Sequence, residues 1–174
     1  FAGHTNATAE TVSAAAGKGL AGVTHLFNAC SQMQAREPGV VGAALADPRL
    51  SAGIIADGVH VHANALRVAS RAMAGRLFLV TDSMPTFGGP EDSFMLGGQE
   101  IIRVGNRLQS GSGTLAGAHL GMNEAVANMV ANADVPLAHA LHMASGVPAA
   151  VLGLDQMYGG IAEGRPVSLT CLAA

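Results

Sequence analysis

Short apolar segments alternate with helix-like segments through the first half of the chain, and this alternation limits the fold more than any other feature. Residues 51–56 read S-A-G-I-I-A and residues 77–81 read L-F-L-V-T. Neither segment alternates polar with apolar residues, so both faces of each strand are expected to be covered. Strand, helix and strand in succession favour parallel strands beneath helices. About three such units fit before residue 84, which predicts an α/β fold with a parallel sheet.

Capping residues mark two of the covering helices. Thr8 precedes an apolar repeat at helical spacing that ends at Gly17, and Asn64 precedes another that ends at Gly75. Threonine and asparagine side chains accept hydrogen bonds from the free N–H groups of a first helical turn. Thr8 or a neighbour is therefore predicted to cap the first of these helices, and Asn64 the second.

The pattern changes in the second half. Residues 94–109 contain the pairs G-G (97–98) and G-N (105–106), which are typical of hairpin turns and predict an antiparallel insertion. Amphipathic helices follow, and the last residues, V-S-L-T-C-L-A-A (167–174), are predicted to form a strand with nothing after it. Because the chain also starts inside an apparent strand-end loop (F-A-G-H-T-N, 1–6), it is expected to be part of a longer protein.

Charge and cysteine content exclude several classes of function. The 174 residues include 9 Lys and Arg against 12 Asp and Glu, a formal net charge of −3, which leaves no basic footprint for nucleic acid and no polybasic patch for a membrane. No apolar run approaches the roughly 18 residues of a membrane span. Cys30 and Cys171 stand far apart, without a C-x-x-C motif. A reducing cytoplasm is the predicted location.

Polar side chains follow the predicted strands. They are His4, His25, Asp57, His60 and Asp82. Because the carboxyl ends of parallel strands meet at one edge of a sheet, these side chains are expected to lie together. Imidazole nitrogens bind Zn²⁺ or another divalent ion, and a nearby carboxylate can deprotonate the water that the ion activates. The pattern predicts metal-assisted hydrolysis.

Other interpretations of these residues stay open. Asp82 lies in T-D-S after a strand, where turn or cap chemistry is ordinary. His60 and His62 form an H-x-H pair, which would place both rings on one face of an extended segment and offers a rival metal site. Arg36 stands next to Glu37, and a local ion pair would account for both residues.

Six short motifs occur in a set order along the chain. They are G-H-T-N-A-T (3–8), T-H-L-F-N-A (24–29), R-E-P-G (36–39), I-I-A-D-G-V-H (54–60), L-V-T-D (79–82) and G-T-L-A-G (113–117). Together they resemble the N-acetylglucosamine-6-phosphate deacetylases of the amidohydrolase superfamily, over practically the whole chain. The resemblance implies a partial (β/α)8 barrel of the TIM type. Residues 1–160 would be the later part of the barrel, and residues 161–174 the start of a small β-sandwich domain.

The resemblance also implies a site. His4 and His25 correspond to the histidine ligands of a divalent metal, zinc in the first instance and iron or another ion as alternatives. Asp82 corresponds to the catalytic acid and base. The residues implied to bind the sugar phosphate are Asn28, Ala29, Arg36, Asp57, His60, Leu115, Ala116 and Gly117. Arg36 and His60 would hold the phosphate, with Arg36 reaching across a homodimer interface.

The implied reaction is removal of the acetyl group from N-acetylglucosamine 6-phosphate, with Asp82 taking a proton from water and returning it to the departing amine. Two alternatives remain. One is a different amidohydrolase, such as a dihydroorotase-like cyclic-amide hydrolase. The other is a non-catalytic fragment, because the family's glutamate metal ligand would precede Phe1. His119, where the family commonly has small hydroxyl residues, is expected to face solvent, with contact to substrate as the alternative.

Overall fold

The computed structural model describes residues 1–171, which form six helices and seven strands. In chain order these are α1 (Ala9–Ala16), β1 (Gly22–Val23), α2 (Gly39–Ala46), β2 (Ser51–Ile54), α3 (Ala63–Ala72), β3 (Leu77–Leu79), β4 (Ser93–Leu96), β5 (Gln99–Val104), β6 (Arg107–Ser110), β7 (Leu115–Ala118), α4 (Met122–Ala133), α5 (Leu137–Ala144) and α6 (Gly146–Val151). The alternation of strands and helices predicted for the first half is confirmed.

The first three strands form a parallel sheet in the order β1-β2-β3. The start of the chain lies beside β1 as a further, single-bridge neighbour. There the N–H of Ala2 donates to the Gly22 carbonyl and the N–H of Thr24 donates to the Ala2 carbonyl, both at 2.9 Å. Four parallel segments therefore point their carboxyl ends towards one edge of the sheet.

An antiparallel sheet, in the order β4-β5-β6-β7, occupies the region where glycine pairs predict hairpins. It extends past the expected end at residue 109 to Ala118, because β7 adds a fourth strand. The sequence of β7, L-A-G-A, lacks the β-branched residues that signal a strand. A parallel bridge between Ser83 and Ala118 joins this sheet to the chain that follows β3.

The helices cover the parallel sheet and share its core. Side chains that are fully buried include Val23, Leu50, Ile54, Leu66 and Met129. No helix in the described part of the chain is both long and apolar enough to cross a membrane.

One of the two predicted helix caps is confirmed. The Thr8 hydroxyl accepts the N–H of Thr11 at 3.2 Å and caps α1. Asn64 is not the cap of α3. His62 takes that position, because its Nδ1 accepts the N–H of Asn64 at 3.1 Å.

The end of the described chain differs from the expected strand. Residues 161–171 contain a turn and no strand, and Val167 is 88% exposed. A strand requires a neighbour for its backbone groups, and no partner for this segment lies in the part of the chain that the structure describes. Residues 172–174, which complete the predicted strand, lie outside the described residues. The division into a barrel part and a small β domain stays a prediction.

Gly22 in β1 leaves no room for a side chain. A Cβ there would lie 2.3 Å from the Ser51 carbonyl oxygen and 2.6 Å from the Phe1 ring. Gly22→Ala is expected to lower the free energy of unfolding by about 1–3 kcal/mol, because the paired backbone of β2 cannot shift freely. Gly111→Ala is the control, since nothing lies within 4 Å of its Cβ position. Urea unfolding of the natural polypeptide that carries this chain measures both, and equal stabilities would contradict the packing described for β1.

Candidate metal and substrate site

Four of the predicted site residues stand just beyond the carboxyl ends of the parallel segments. His4 follows the segment beside β1, His25 follows β1, Asp57 follows β2 and Asp82 follows β3. Strand order therefore places them along one sheet edge in the order 4, 25, 57 and 82. Asp57 therefore follows β2, the strand next to β1, whereas Asp82 follows β3, one strand further from His25.

The His4 and His25 rings pack against each other. Their centroids are 4.8 Å apart and their planes are nearly perpendicular, at 88°. His25 Nδ1 lies 3.1 Å from the carbonyl oxygen of Asn28. Because a carbonyl only accepts, Nδ1 carries the proton and the lone pair of His25 Nε2 is free. A backbone carbonyl orients metal-binding histidines in this way in many proteins.

Two adjacent imidazoles fit a divalent ion such as zinc or iron. His4 is exposed and His25 is half-buried, so the pair is open to solution. Within residues 1–171, no group of three or more His, Cys, Asp or Glu side chains is arranged to hold a metal. A catalytic zinc usually has three protein ligands and one open position. The predicted pair of histidines is therefore smaller than the ligand set of a catalytic zinc site.

Backbone strain concentrates at the same places. The non-glycine residues with positive φ in the described chain are His4 (49°), His25 (30°), Phe27 (77°), Ala29 (49°), Asp82 (50°) and Asp134 (56°). Each such conformation costs about 1–3 kcal/mol and persists where the surroundings enforce it. Four of the six are residues that the motifs assign to the site, so strain and sequence independently mark one region.

Asp57 and His60 form a tight local pair. The Asp57 carboxylate accepts the N–H groups of Val59 and His60, both at 2.8 Å, and lies 2.6 Å from His60 Nδ1. Its side chain is 2% exposed. Burial alone would raise the pKa of the Asp57 carboxyl, but the hydrogen bonds from the His60 ring and from the two backbone N–H groups outweigh it. The pKa of Asp57 is therefore held below its ordinary value.

The hydrogen bond between Asp57 and His60 argues against the rival metal site formed by His60 and His62. Residues 57–61 form a bend and not the extended segment that an H-x-H pair needs. The His60 ring is held by Asp57, and the His62 ring caps α3. The two imidazoles thus serve different partners.

Replacing the Asp57 carboxylate should show a definite pH dependence. A carboxyl group with a lowered folded-state pKa stabilises the fold above its unfolded pKa of about 3.9, and loses that stabilisation as the pH falls through the lower folded value. Asp57→Asn is expected to cost about 1.5–3 kcal/mol at pH 7 and progressively less below pH ~4. Thermal unfolding across this range measures the difference. Glu91→Gln, at an exposed carboxylate, is the control, and a pH-independent cost would contradict an ionised Asp57 carboxylate with a lowered pKa.

Arg36 does not pair with its neighbour. The Glu37 carboxylate accepts the N–H groups of Ala9 at 2.8 Å and Gly39 at 2.9 Å, and these bonds hold the pKa of the Glu37 carboxyl below its usual range. The Arg36 guanidinium is exposed and forms no ion pair with residues 1–171. The local ion pair that would explain Arg36 without a ligand is absent from this part of the chain.

Asp82 is exposed and lies beside β7. The N–H of Ala118 donates to the Asp82 carbonyl at 2.8 Å. Gly117 packs so closely that a Cβ there would lie 2.3 Å from Met84 Cγ, and its φ is +74°. The predicted acid and base and the predicted acetyl-binding segment 115–117 are thus brought together by backbone pairing.

The expectation for His119 is wrong. The residue is half-buried, with Nδ1 3.1 Å from the hydroxyl of the buried Thr86 and its ring 5.4 Å from that of Phe87. The segment after β7 packs on the loop after β3, which covers part of the ring.

Sequence reasoning missed two residues that support the strand-end loops. Asn128 in α4 donates from Nδ2 to the Ala56 carbonyl at 2.8 Å, just before Asp57. Its position next to the buried Met129 could have indicated this role, because a polar side chain near a buried helix face needs a hydrogen-bond partner. Gln32 donates to two carbonyls of the loop after β1, and nothing in its sequence context indicates that role.

Paired imidazoles and a carboxylate at one sheet edge are the side-chain types with which metal-dependent hydrolases hold an ion and activate water. The amidohydrolase family profile matches residues 1–174, and the chain belongs to this family. Enzymes of the family are metal-dependent.

Individual relatives give a more specific comparison than the family profile does. The chain is 39% identical over 170 residues to the N-acetylgalactosamine-6-phosphate deacetylase of Escherichia coli O157:H7, which covers 98% of this chain and 45% of that protein. It is 38% identical over 170 residues to the N-acetylglucosamine-6-phosphate deacetylase of Haemophilus influenzae, covering 96% of this chain and 44% of that protein. The crystal structure of N-acetylglucosamine-6-phosphate deacetylase from Pasteurella multocida superposes with a TM-score of 0.91 at 36% identity, over 94% of this chain and 43% of that one. The chain thus spans less than half the length of these three proteins.

Proposed function

We propose that this chain carries part of the active site of an N-acetylglucosamine-6-phosphate deacetylase, which hydrolyses N-acetylglucosamine 6-phosphate to glucosamine 6-phosphate and acetate. The observation that carries the proposal is the His4–His25 pair, with His25 Nε2 free, on the sheet edge that also bears Asp82. The named activities of the relatives support an amino-sugar phosphate over a cyclic amide. The three parallel strands would belong to a (β/α)8 barrel.

His4 and His25 would hold a divalent metal ion, with zinc proposed first and iron as the alternative. Such an ion supplies a Lewis acid for the amide carbonyl and lowers the pKa of water. The Asn28 carbonyl keeps the proton on His25 Nδ1, so Nε2 would be the ligating atom.

Asp82 would be the general acid and base. Its carboxylate takes a proton from the attacking water as the new C–O bond forms, then gives that proton to the sugar nitrogen as the C–N bond breaks. Leu115, Ala116 and Gly117 would contact the acetyl group. Their strand is hydrogen-bonded to the backbone of Asp82, which supports this placement.

The phosphate would be bound by Arg36 and His60. The pairing of His60 Nδ1 with Asp57 leaves Nε2 as its free ring nitrogen. Asn28 and the Ala29 backbone would contact the sugar phosphate, and Asp57 would line the sugar through its backbone, since its carboxylate is already occupied.

Removing the Arg36 guanidinium tests the phosphate assignment. Arg36→Ala is expected to raise KM for N-acetylglucosamine 6-phosphate by about tenfold to hundredfold, equivalent to ~1.5–3 kcal/mol of charged hydrogen bonding. Hydrolysis of unphosphorylated N-acetylglucosamine should be unaffected. Arg71→Ala, at an exposed arginine of α3, is the control. An equal loss on both sugars would contradict a phosphate contact.

The proposed homodimer gives Arg36 a further test. Its exposed side chain would reach the phosphate bound to a second copy of the chain. Mixed dimers of Arg36→Ala and His25→Gln subunits should then recover the wild-type KM, because one of their two sites has both residues intact. Mixed dimers that keep the raised KM of the Arg36→Ala parent would place Arg36 in its own subunit's site.

A cytoplasmic location is proposed from the cysteine pattern alone.

A further inference from the structure

The side chain of Gln32 closes the loop that follows β1. Its Nε2 donates to the carbonyl oxygen of Phe27 at 2.7 Å and to that of Cys30 at 2.8 Å. Both acceptors are carbonyl oxygens, so the nitrogen end of the amide must face the loop. One side chain thus uses both of its N–H bonds to bridge residues 27–30.

The bridged loop is strained at two residues. Phe27 has a φ of 77° and Ala29 a φ of 49°, which residues with a Cβ rarely adopt. The Gln32 hydrogen bonds fall on the strained Phe27 and on Cys30, directly after the strained Ala29. Conformations of this kind need neighbouring contacts to hold them in place.

The same loop contacts the ring of His25, one of the two proposed metal ligands. The carbonyl of Asn28 lies between the two Gln32 acceptors in sequence and is 3.1 Å from His25 Nδ1. If that carbonyl turns away, either ring nitrogen of His25 can carry the proton.

We propose that Gln32 is a positioning residue that holds the Asn28 carbonyl against His25 Nδ1, and thereby keeps His25 Nε2 free to bind a divalent ion. It also fixes Asn28 and Ala29 for the substrate. The substrate and metal-binding parts rest on the proposed function, whereas the effect on the His25 tautomer does not.

Gln32→Met keeps the size of the side chain and removes its donors. The control is Gln34→Met, because Gln34 is exposed in the same loop and its side chain makes no hydrogen bond to residues 1–171. Nitrogen NMR of the His25 ring, in the metal-free natural polypeptide labelled at histidine, is expected to show protonated Nδ1 in the wild type and in the control. Gln32→Met should show a mixture of tautomers.

Zinc titration against a chromogenic chelator provides the second measurement. Gln32→Met is expected to bind Zn²⁺ about tenfold more weakly, within the 10–100-fold range for lost outer-shell partners. Gln32→Arg, which restores N–H donors, should recover part of the affinity, and Gln32→Glu replaces the Met variant if that variant fails to fold. An unchanged tautomer and zinc affinity in Gln32→Met would overturn the inference while leaving the proposed function intact. If the wild-type protein releases no acetate but the Gln32→Met variant still changes the His25 tautomer, the proposed function is overturned and the inference about Gln32 is supported.

Discussion

Asp82→Asn is expected to lower kcat for acetate release by about 10²–10⁴-fold, the usual contribution of a general acid or base. KM should change little, because the proton is transferred only in the transition state. The asparagine amide has nearly the shape of the carboxylate and cannot take up the proton. Initial rates of acetate formation in the natural polypeptide measure the effect.

The backbone makes Asp82→Asn a clean substitution. Asp82 has a φ of 50°, and asparagine tolerates that conformation better than most residues, so the variant is expected to fold. Asp155→Asn, at an exposed carboxylate, is the matched control and should keep full activity. An Asp82→Asn enzyme with a wild-type kcat would exclude Asp82 as the acid and base.

His25→Gln is expected to release the bound metal and abolish acetate formation. Outer-shell changes typically weaken metal binding by about 10–100-fold, and loss of a ligand should exceed that range. Elemental analysis after dialysis gives the metal content per chain. His139→Gln, on the exposed side of α5, should retain the wild-type content. Equal metal content in the two variants would remove His25 from the proposed ligand set.

The strand ends could be predicted from the sequence because each depends on a local signal. L-F-L-V-T is too apolar to lie on a surface, so its strand and the position of Asp82 after it follow directly. The Thr8 cap is equally local, since the hydroxyl bonds an N–H within the same turn. Parallel pairing then brings the strand ends to one edge.

Other features depend on contacts that are distant in the chain or on exact backbone geometry. β7, which has no β-branched residue, is a strand because it pairs with β6. Asp57 and Asp82 look alike as acidic residues after strands. The Asp57 carboxylate bonds to His60, whereas Asp82 stays exposed. The backbone turn that follows each strand decides this difference, and the sequence pattern does not specify it. The same applies to His62, whose ring caps a helix instead of joining His60.

The most direct test of the central claim is acetate release from N-acetylglucosamine 6-phosphate by the purified natural polypeptide, with its intact mass measured on the same sample. The proposal predicts acetate and glucosamine 6-phosphate in equal amounts, with activity lost on chelation and restored by Zn²⁺. N-acetylgalactosamine 6-phosphate, tested in parallel, shows which sugar is preferred. A folded, zinc-loaded polypeptide that releases acetate from neither sugar phosphate would contradict the proposed function.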